Sequence, residues 1–393
     1  MKPLLKIYFV LVALSLTCQK VIAQEAYAVL SDDGNTVTFY YDNQKASRSG
    51  VTEINNKSVH KLGNAYSSAT TAVIDASFAG YRPASTAYWF MECRNLTSIS
   101  GMENLNTSEV TNMCNMFNYC SNLTSLDVTR FNTGKVTDMN GMFEACFSLA
   151  SLDVSSFNTE NVTDMNNMFC VCGSLTSLDV SNFNTSKVTT MNELFSYCST
   201  LTKLDLSNFN TENVTDMDTM FEGCYALTSL DISSFNTSNV TRMGDMFRRC
   251  YALTSLDLSN FNITNLRSLR GMFEDCPALT TIYVDEEKWS TANVYEGEGT
   301  NVFNGCINLV GGNGTTYSEE HKDYDYARID KPGQPGYLTQ KGTTPTGSIP
   351  IENKSAITPE NINHNYTLDG RRIENQPIKK GIYIVNGHKM IIK

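Results

Sequence analysis

Apolar positions in this chain recur with a fixed step of 26 residues. Leu123, Leu149, Leu175, Leu201, Leu227, Leu253 and Leu279 form one column. Phe131, Phe157, Phe183, Phe209, Phe235 and Phe261 form a second, each followed by Asn. Cys120, Cys146, Cys172, Cys198, Cys224, Cys250 and Cys276 form a third. A period of this length predicts a solenoid, in which a unit buries its apolar face only by stacking on its neighbours.

Two periodicities divide each unit. In LTSLDVTRFN, Leu126 and Val128 alternate with Asp127, the period of a short strand. Val136, Met139, Met142, Phe143 and Cys146 then follow at i, i+3, i+6, i+7 and i+10, which predicts a short helix of about two turns. Thr137 and Asp138 are suited to its N-terminus. Strands of successive coils are expected to pair in parallel, about 4.8 Å apart. The Asn column is expected to hydrogen-bond backbone groups where the chain leaves the strand. The Phe, Met and Val columns read as core.

The pattern changes at both ends. Residues 24–70 read as an N-terminal cap, with strands at 27–31 and 36–41 around the turn DDGN. Residues 71–308 carry the repeats, opening on a degenerate unit in which Phe78, Phe90 and Cys93 keep the column spacing. A 27-residue unit at 96–122 follows, with its extra residue near Gly101 and Met102. An irregular unit from Leu279 has Trp289 near the Phe position and an inserted YEGEGT stretch. Residues 309–340 read as a C-terminal cap, where GGNGTTY is a turn without the Lys-Ser/Thr of a phosphate loop. Residues 341–350 read as a linker, and 351–393 as a small β tail with a hairpin turn at Asn386-Gly387.

The consensus LxxLDxSxFNTxxVTDMxxMFxxC resembles the leucine-rich repeat of the BspA-like bacterial surface proteins, a type also found in mycoplasma surface lipoproteins. AYAVLSDDGNTVTFYYD, at 26–42, is similar to the segment that precedes such repeats, so the likeness spans roughly residues 26–340. It implies an α/β solenoid: a right-handed, leucine-rich-repeat-like coil of short parallel strands and short helices. Some nine repeats stand between β-rich caps. It also implies a surface-exposed, adhesin-like protein, without fixing a ligand. The run from Tyr366 to Lys393 resembles the C-terminal tails of exported Bacteroidota proteins, including sorting tails of the type IX secretion pathway. A small β module without an address function is the other reading.

Charge and leader agree with export. Lys2 and Lys6, an apolar run at 7–17, and Val21, Ile22 and Ala23 before Gln24 make residues 1–23 a secretory signal peptide. Lipidation at Cys18 is the lesser alternative, since Thr17 stands where lipoprotein signals resemble one another in having Gly or Ala. Cleavage removes three lysines and no acid, taking the formal charge from −11 to −14. With 18% charged residues and no basic cluster of the required density, nucleic acid is excluded as the expected partner. No later stretch is apolar enough to span a membrane.

Chemistry is sparse. His60, His321, His364 and His388 lie far apart, and no GxSxG, HExxH or P-loop is present. No cofactor, metal or catalytic residue is assigned. Of the 12 cysteines, nine fall in one buried column, Cys93 and Cys306 included. A reduced apolar ladder is the favoured reading and disulfides between neighbours the alternative. Arg242, Arg248, Arg249, Arg267 and Arg270 form a local basic group, read first as solvated surface and second as a site for an anion.

The ordered polar feature is a column of Asp127, Asp153, Asp179, Asp205, Asp231 and Asp257, on the outer, expectedly concave, face of the strands. Three readings stay open: a solvated consensus with each Asp accepting from a nearby Ser or Thr, a docking face, or an oxygen-rich calcium site. The expected function is binding of host extracellular-matrix or mucosal proteins and glycans, or of other bacteria, at the cell surface or after secretion. A structural envelope protein without external ligand and an enzyme assembled across repeats are the alternatives.

Overall fold

The computed structural model describes residues 23–54 and 65–343, together with the backbone of four short strands in the tail. The signal peptide expected at 1–23 lies outside them except for Ala23, and the linker expected at 341–350 lies outside them beyond Thr343.

The first strands start the stack. β1 (Glu25–Leu30) and β2 (Thr36–Asp42) pair antiparallel around the DDGN turn. There the Asp33 carboxylate accepts from the Asn35 N–H at 3.0 Å. β3 (Val51–Glu53), absent from the sequence reading, adds to the free edge of β1. On the other side β2 pairs in parallel with β4 (Thr71–Ile74), and β4 with β5 (Ser98–Ser100). Phe39 brings the hairpin into the core. It packs against Phe78, Trp89 and Phe90 with ring centroids 5.3–6.1 Å apart.

From there the coils stack, each bonded to the one 25–27 residues on. Phe90, Phe117, Phe143, Phe169, Phe195, Phe221, Phe247, Phe273 and Phe303 lie face to face, with centroids 5.4–5.9 Å apart. Each such pair contributes about 0.5–1.5 kcal/mol beyond the area it buries. The Leu, Met, Val and Cys columns line the same interior and are almost wholly buried.

The segment read as a helix is a run of tight turns instead. No α-helix occurs from 105 to 317. Each coil has two left-handed residues four positions apart, such as Asn115 and Tyr119, Gly141 and Ala145, and Asn167 and Val171. Alternate N–H groups leave the coil. Those of Met113, Asn115, Phe117 and Tyr119 donate to the carbonyls of Asp138, Asn140, Met142 and Glu144 in the next coil, at 2.8–2.9 Å. The reason is thickness. A helix with its side chains is about 10–12 Å across, and the rings of adjacent coils here are under 6 Å apart.

The strand expectation holds only at the ends. β6 (Ser255–Asp257) and β7 (Thr281–Val284) pair in parallel, as β4 and β5 do. In the central coils the alternation survives as burial, with Val154 and Val180 inside and Asp153 and Asp179 outside. The backbone ladder there shrinks to a single bridge between Asp205 and Asp231. The continuous ladder runs instead through Asn112, Asp138, Asp164, Thr190, Asp216, Arg242 and Ser268. The Phe131 column is spaced at 6.3–6.5 Å, wider than the Phe143 column.

The link between coils where the chain leaves that side is a threonine column, not the asparagine column. Thr107, Thr133, Thr159, Thr185, Thr211 and Thr237 are buried. Each hydroxyl donates to the carbonyl of an Asn in the next coil at 2.8–3.0 Å. The same oxygen accepts the N–H of that Asn at 2.7–2.8 Å. The Asn side chain turns back locally, as Asn158 does to the Glu160 N–H. Where the next coil becomes irregular the column ends, and Ile263 takes the place of Thr.

All eleven described cysteines are free and buried. Cys120 through Cys306 of the column each donate the thiol to a Phe carbonyl of the preceding coil at 2.9–3.3 Å. Burial pushes Cys146 and Cys198 up to about 12, so they are thiols and not nucleophilic thiolates at neutral pH.

At the far end Tyr337 meets Phe303 edge-on at 5.1 Å, closing the ring ladder. Trp289 donates its indole N–H to the Ala327 carbonyl at 2.9 Å. β8 (Thr339–Gln340) pairs with β7, and the Lys341 N–H bonds to the Val284 carbonyl at 2.9 Å. In the tail, β9 (Asn365–Thr367), β10 (Arg372–Ile373), β11 (Gly381–Val385) and β12 (His388–Ile392) form an antiparallel sheet in the order β10-β9-β11-β12. Val385 is paired with His388, and the turn expected at Asn386-Gly387 lies outside the described residues.

The threonine column makes a sharp prediction. Thr185→Val keeps the shape and strands both the N–H and the carbonyl of Asn210, so it should cost about 1–3 kcal/mol in chemical denaturation. Thr189→Val, on the exposed rim, should stay within about 0.5 kcal/mol. Equal losses would show that the buried hydroxyls do not link the coils.

Candidate binding surface

The six aspartates share one geometry. Asp127, Asp153, Asp179, Asp205, Asp231 and Asp257 each accept the N–H of the residue two positions on, at 3.0–3.1 Å. This is a local turn that Asp favours where a strand ends. Five of the carboxyls sit below the usual carboxylate range. The Thr129, Ser155 and Ser181 hydroxyls are the chief cause at Asp127, Asp153 and Asp179. The backbone N–H of Ser207 and of Ser233 leads at Asp205 and Asp231. At Asp257 burial opposes the shift and is outweighed by Lys341 and Ser259, so this carboxyl is low as well. The column is thus exposed and locally satisfied, which matches the arrangement of a solvated consensus.

Other acids lie on the turn side, unnoticed in the sequence. Burial raises Asp138, Glu144, Asp218, Glu222 and Asp245. Towards the C-terminal end arginines face them. Arg242 pairs with Asp216 and Asp218. Arg248 reaches Glu222, Asp245 and Glu274 at 3.3–3.7 Å. Arg249 is 3% exposed, donates to the Tyr197 hydroxyl at 2.9 Å and lies 3.7 Å from Glu222 and Asp275. The basic group read as solvated surface is at Arg248 and Arg249 a part-buried ion network. A pattern of acid and base exchanged in one column 26 residues apart, Glu222 against Arg248, was the available signal.

The remaining candidates close off. The glycine-rich turn at 311–314 wraps a protein carboxylate: buried Asp330 accepts the N–H groups of Asn313 and Thr315 at 2.8 and 2.9 Å. A Cβ on Gly311 would lie 2.2 Å from the Gly336 carbonyl, so the close approach needs glycine. His321 stacks on Tyr326 at 4.1 Å beside Asp325. Among the described residues no three His, Cys, Asp or Glu side chains converge as a metal site. No helix among them is long and apolar enough to cross a membrane.

What the fold displays is a repeat scaffold with its polar side chains in register. The family model described as "Mycoplasma protein of unknown function, DUF285" matches residues 84–203 and 191–310, more than half of the chain. The chain belongs to this family, and its units are BspA-like leucine-rich repeats. Among solved structures it is similar to a leucine-rich repeat protein from Bacteroides ovatus ATCC 8483, at 16% identity over 74% of this chain and 93% of that one, with a TM-score of 0.25. No curated protein matches.

The aspartate column sets a pH dependence. A carboxyl held low in the folded chain favours folding above its unfolded value, near 3.8, and that contribution is lost as pH falls through the folded value. The triple variant Asp153→Asn, Asp179→Asn, Asp205→Asn should therefore be somewhat less stable than the native chain at pH 7 and show a shallower loss of stability below about pH 4, where the two converge. An unchanged acid limb in urea titrations would remove these residues from the acid response.

Proposed function

We propose that this is an exported cell-surface protein whose repeats form a right-handed solenoid and bind macromolecules through its exposed side, an adhesin-like and non-enzymatic role. Host matrix or mucosal proteins and glycans, or other bacteria, are the partners of that reading. The observation that carries it is the division of labour in each coil. Buried Phe, Thr and Cys columns hold the coils together, and the outer side repeats carboxylates, hydroxyls and amides at fixed spacing. A rigid surface of this kind suits contact with an extended partner, as repeat scaffolds do through their long faces. The resemblance of the tail to sorting tails supports residues 351–393 as the address that takes the protein outward.

The test is binding of the mature chain to arrayed matrix proteins, mucins and glycans. The expected outcome is saturable binding to at least one, weakened by salt where acids contribute. Absence of saturable binding to all of them would contradict the reading.

A further inference from the structure

The repeat departs from its 26-residue length at the 96–122 unit, and a cleft lies beside that unit. In the regular coils the residue before Phe bonds back to the preceding coil. Ser156 and Ser234 donate to Val128 and Leu206 carbonyls. Asn182, Asn208 and Asn260 each donate to at least two carbonyls of the coil before. Arg130 occupies this column at the first regular coil and makes no hydrogen bond or ion pair among the described residues. The coil beneath it is the 27-residue unit, where a 3-10 turn at Met102–Asn104 leads into Leu105-Asn106-Thr107, the counterpart of Phe131-Asn132-Thr133 with the smaller Leu in place of Phe. Gly101 makes that turn possible. Its φ is 74°, and a Cβ there would lie 2.1 Å from the Ile74 carbonyl oxygen. Asn104 bonds the same carbonyl at 3.0 Å.

A cleft of about 490 Å³ lies between this segment and the Arg130 segment, with Ala79 and Leu105 in its lining. The size is that of a small-ligand site. Glu103 and Arg130 both line it; both are exposed, and neither is ion-paired among the described residues. Asp127 feels the Arg130 charge without forming an ion pair with it. Asn106 and Asn132 use their Oδ1 on local N–H groups, so their Nδ2 groups remain as donors.

We propose that this cleft binds the acidic end of a glycan, a sugar carrying a carboxylate. The proposal rests on the macromolecule-binding reading above and names its ligand class. Arg130 would hold the carboxylate in a two-pronged hydrogen bond. Glu103 can only accept, so it selects hydroxyls. The two amides donate to further sugar oxygens. A phosphate monoester carries about −1.5 to −2 charge at neutral pH, so it would meet more repulsion from Glu103 than a singly charged carboxylate does. A neutral sugar would leave Arg130 unused. A peptide terminus would find no apolar pocket for its last side chain, because Leu105 is 2% exposed.

The experiment titrates the full mature chain with uronic-acid and sialic-acid oligosaccharides, with the same compounds after reduction of the carboxyl to an alcohol, and with a sugar phosphate and a C-terminal peptide as controls. The acidic sugars are expected to bind at least tenfold tighter than their reduced forms. Arg130→Gln should erase that difference. Glu103→Gln should weaken the reduced forms at least as much as the acidic ones, since it removes a hydroxyl acceptor from both and a like charge from the acidic ones alone, with the melting temperature of both variants unchanged. Equal affinity for acidic and reduced sugars, a preference that survives R130Q, or tighter binding of the phosphate or peptide would overturn the proposal. The same R130Q chain on the macromolecule array separates the two claims. Array binding that persists without an acidic-sugar preference removes the cleft alone, and no array binding by the native chain removes the wider reading too.

Discussion

The structure depends on one contact repeated along its length: a phenylalanine ring lying flat on the ring of the coil before it. Eight such contacts join Phe90 to Phe303. Their spacing fixes what the rest of each coil can be. It is too small for helices side by side, so the Met-Phe segment becomes a series of turns whose N–H groups alternate between their own coil and the next. It also excludes water, which makes every unpaired polar group inside expensive. The buried Thr and Cys columns answer that constraint. Each Thr places a hydroxyl where an Asn carbonyl of the next coil would otherwise lack a donor, and each Cys gives its thiol to a Phe carbonyl that already accepts a backbone N–H of its own coil.

A stack of this kind has two ends to protect. The first is closed by the β1–β2 hairpin, whose Phe39 continues the aromatic core, and the last by Tyr337 and Trp289. Both ends carry true parallel strands, and the central coils do not. The ends are also where the repeat departs from its length, at 96–122 and after Leu279, and the Arg130 cleft lies beside the first of these departures.

Much of this was legible in the residues. The 26-residue step, the buried columns and the opening hairpin follow from Leu, Phe and Cys positions and from the DDGN turn. The helix did not survive, because apolar residues at i, i+3, i+6, i+7 and i+10 suit linked turns as well as a helix. The discriminating signal lay in the left-handed column, where Asn115, Gly141, Asn167, Asp245, Gly271 and Asn301 are residue types that tolerate that backbone and Glu193 and Thr219 are the exceptions. The threonine link was also passed over, since Asn beside Thr looked the better ladder. Only geometry shows that the hydroxyl, one atom both donating and accepting, fits the gap between coils. For the candidate surface, the aspartate column was placed correctly outside. The Glu103–Arg130 cleft was invisible, because its lining residues come from separate coils.

The central claim is that the coils are joined on the turn side and by buried threonines, and only loosely on the aspartate side. Amide hydrogen exchange in the native protein tests it directly. The account predicts slow exchange at Phe143, Phe169 and Phe195, and at Asn184 and Asn210, whose N–H groups bond to the neighbouring coil. It predicts fast exchange at Leu152 and Leu178, in segments without a continuous ladder. Slow exchange at the two leucines with fast exchange at the phenylalanines would contradict it and restore a strand-held stack.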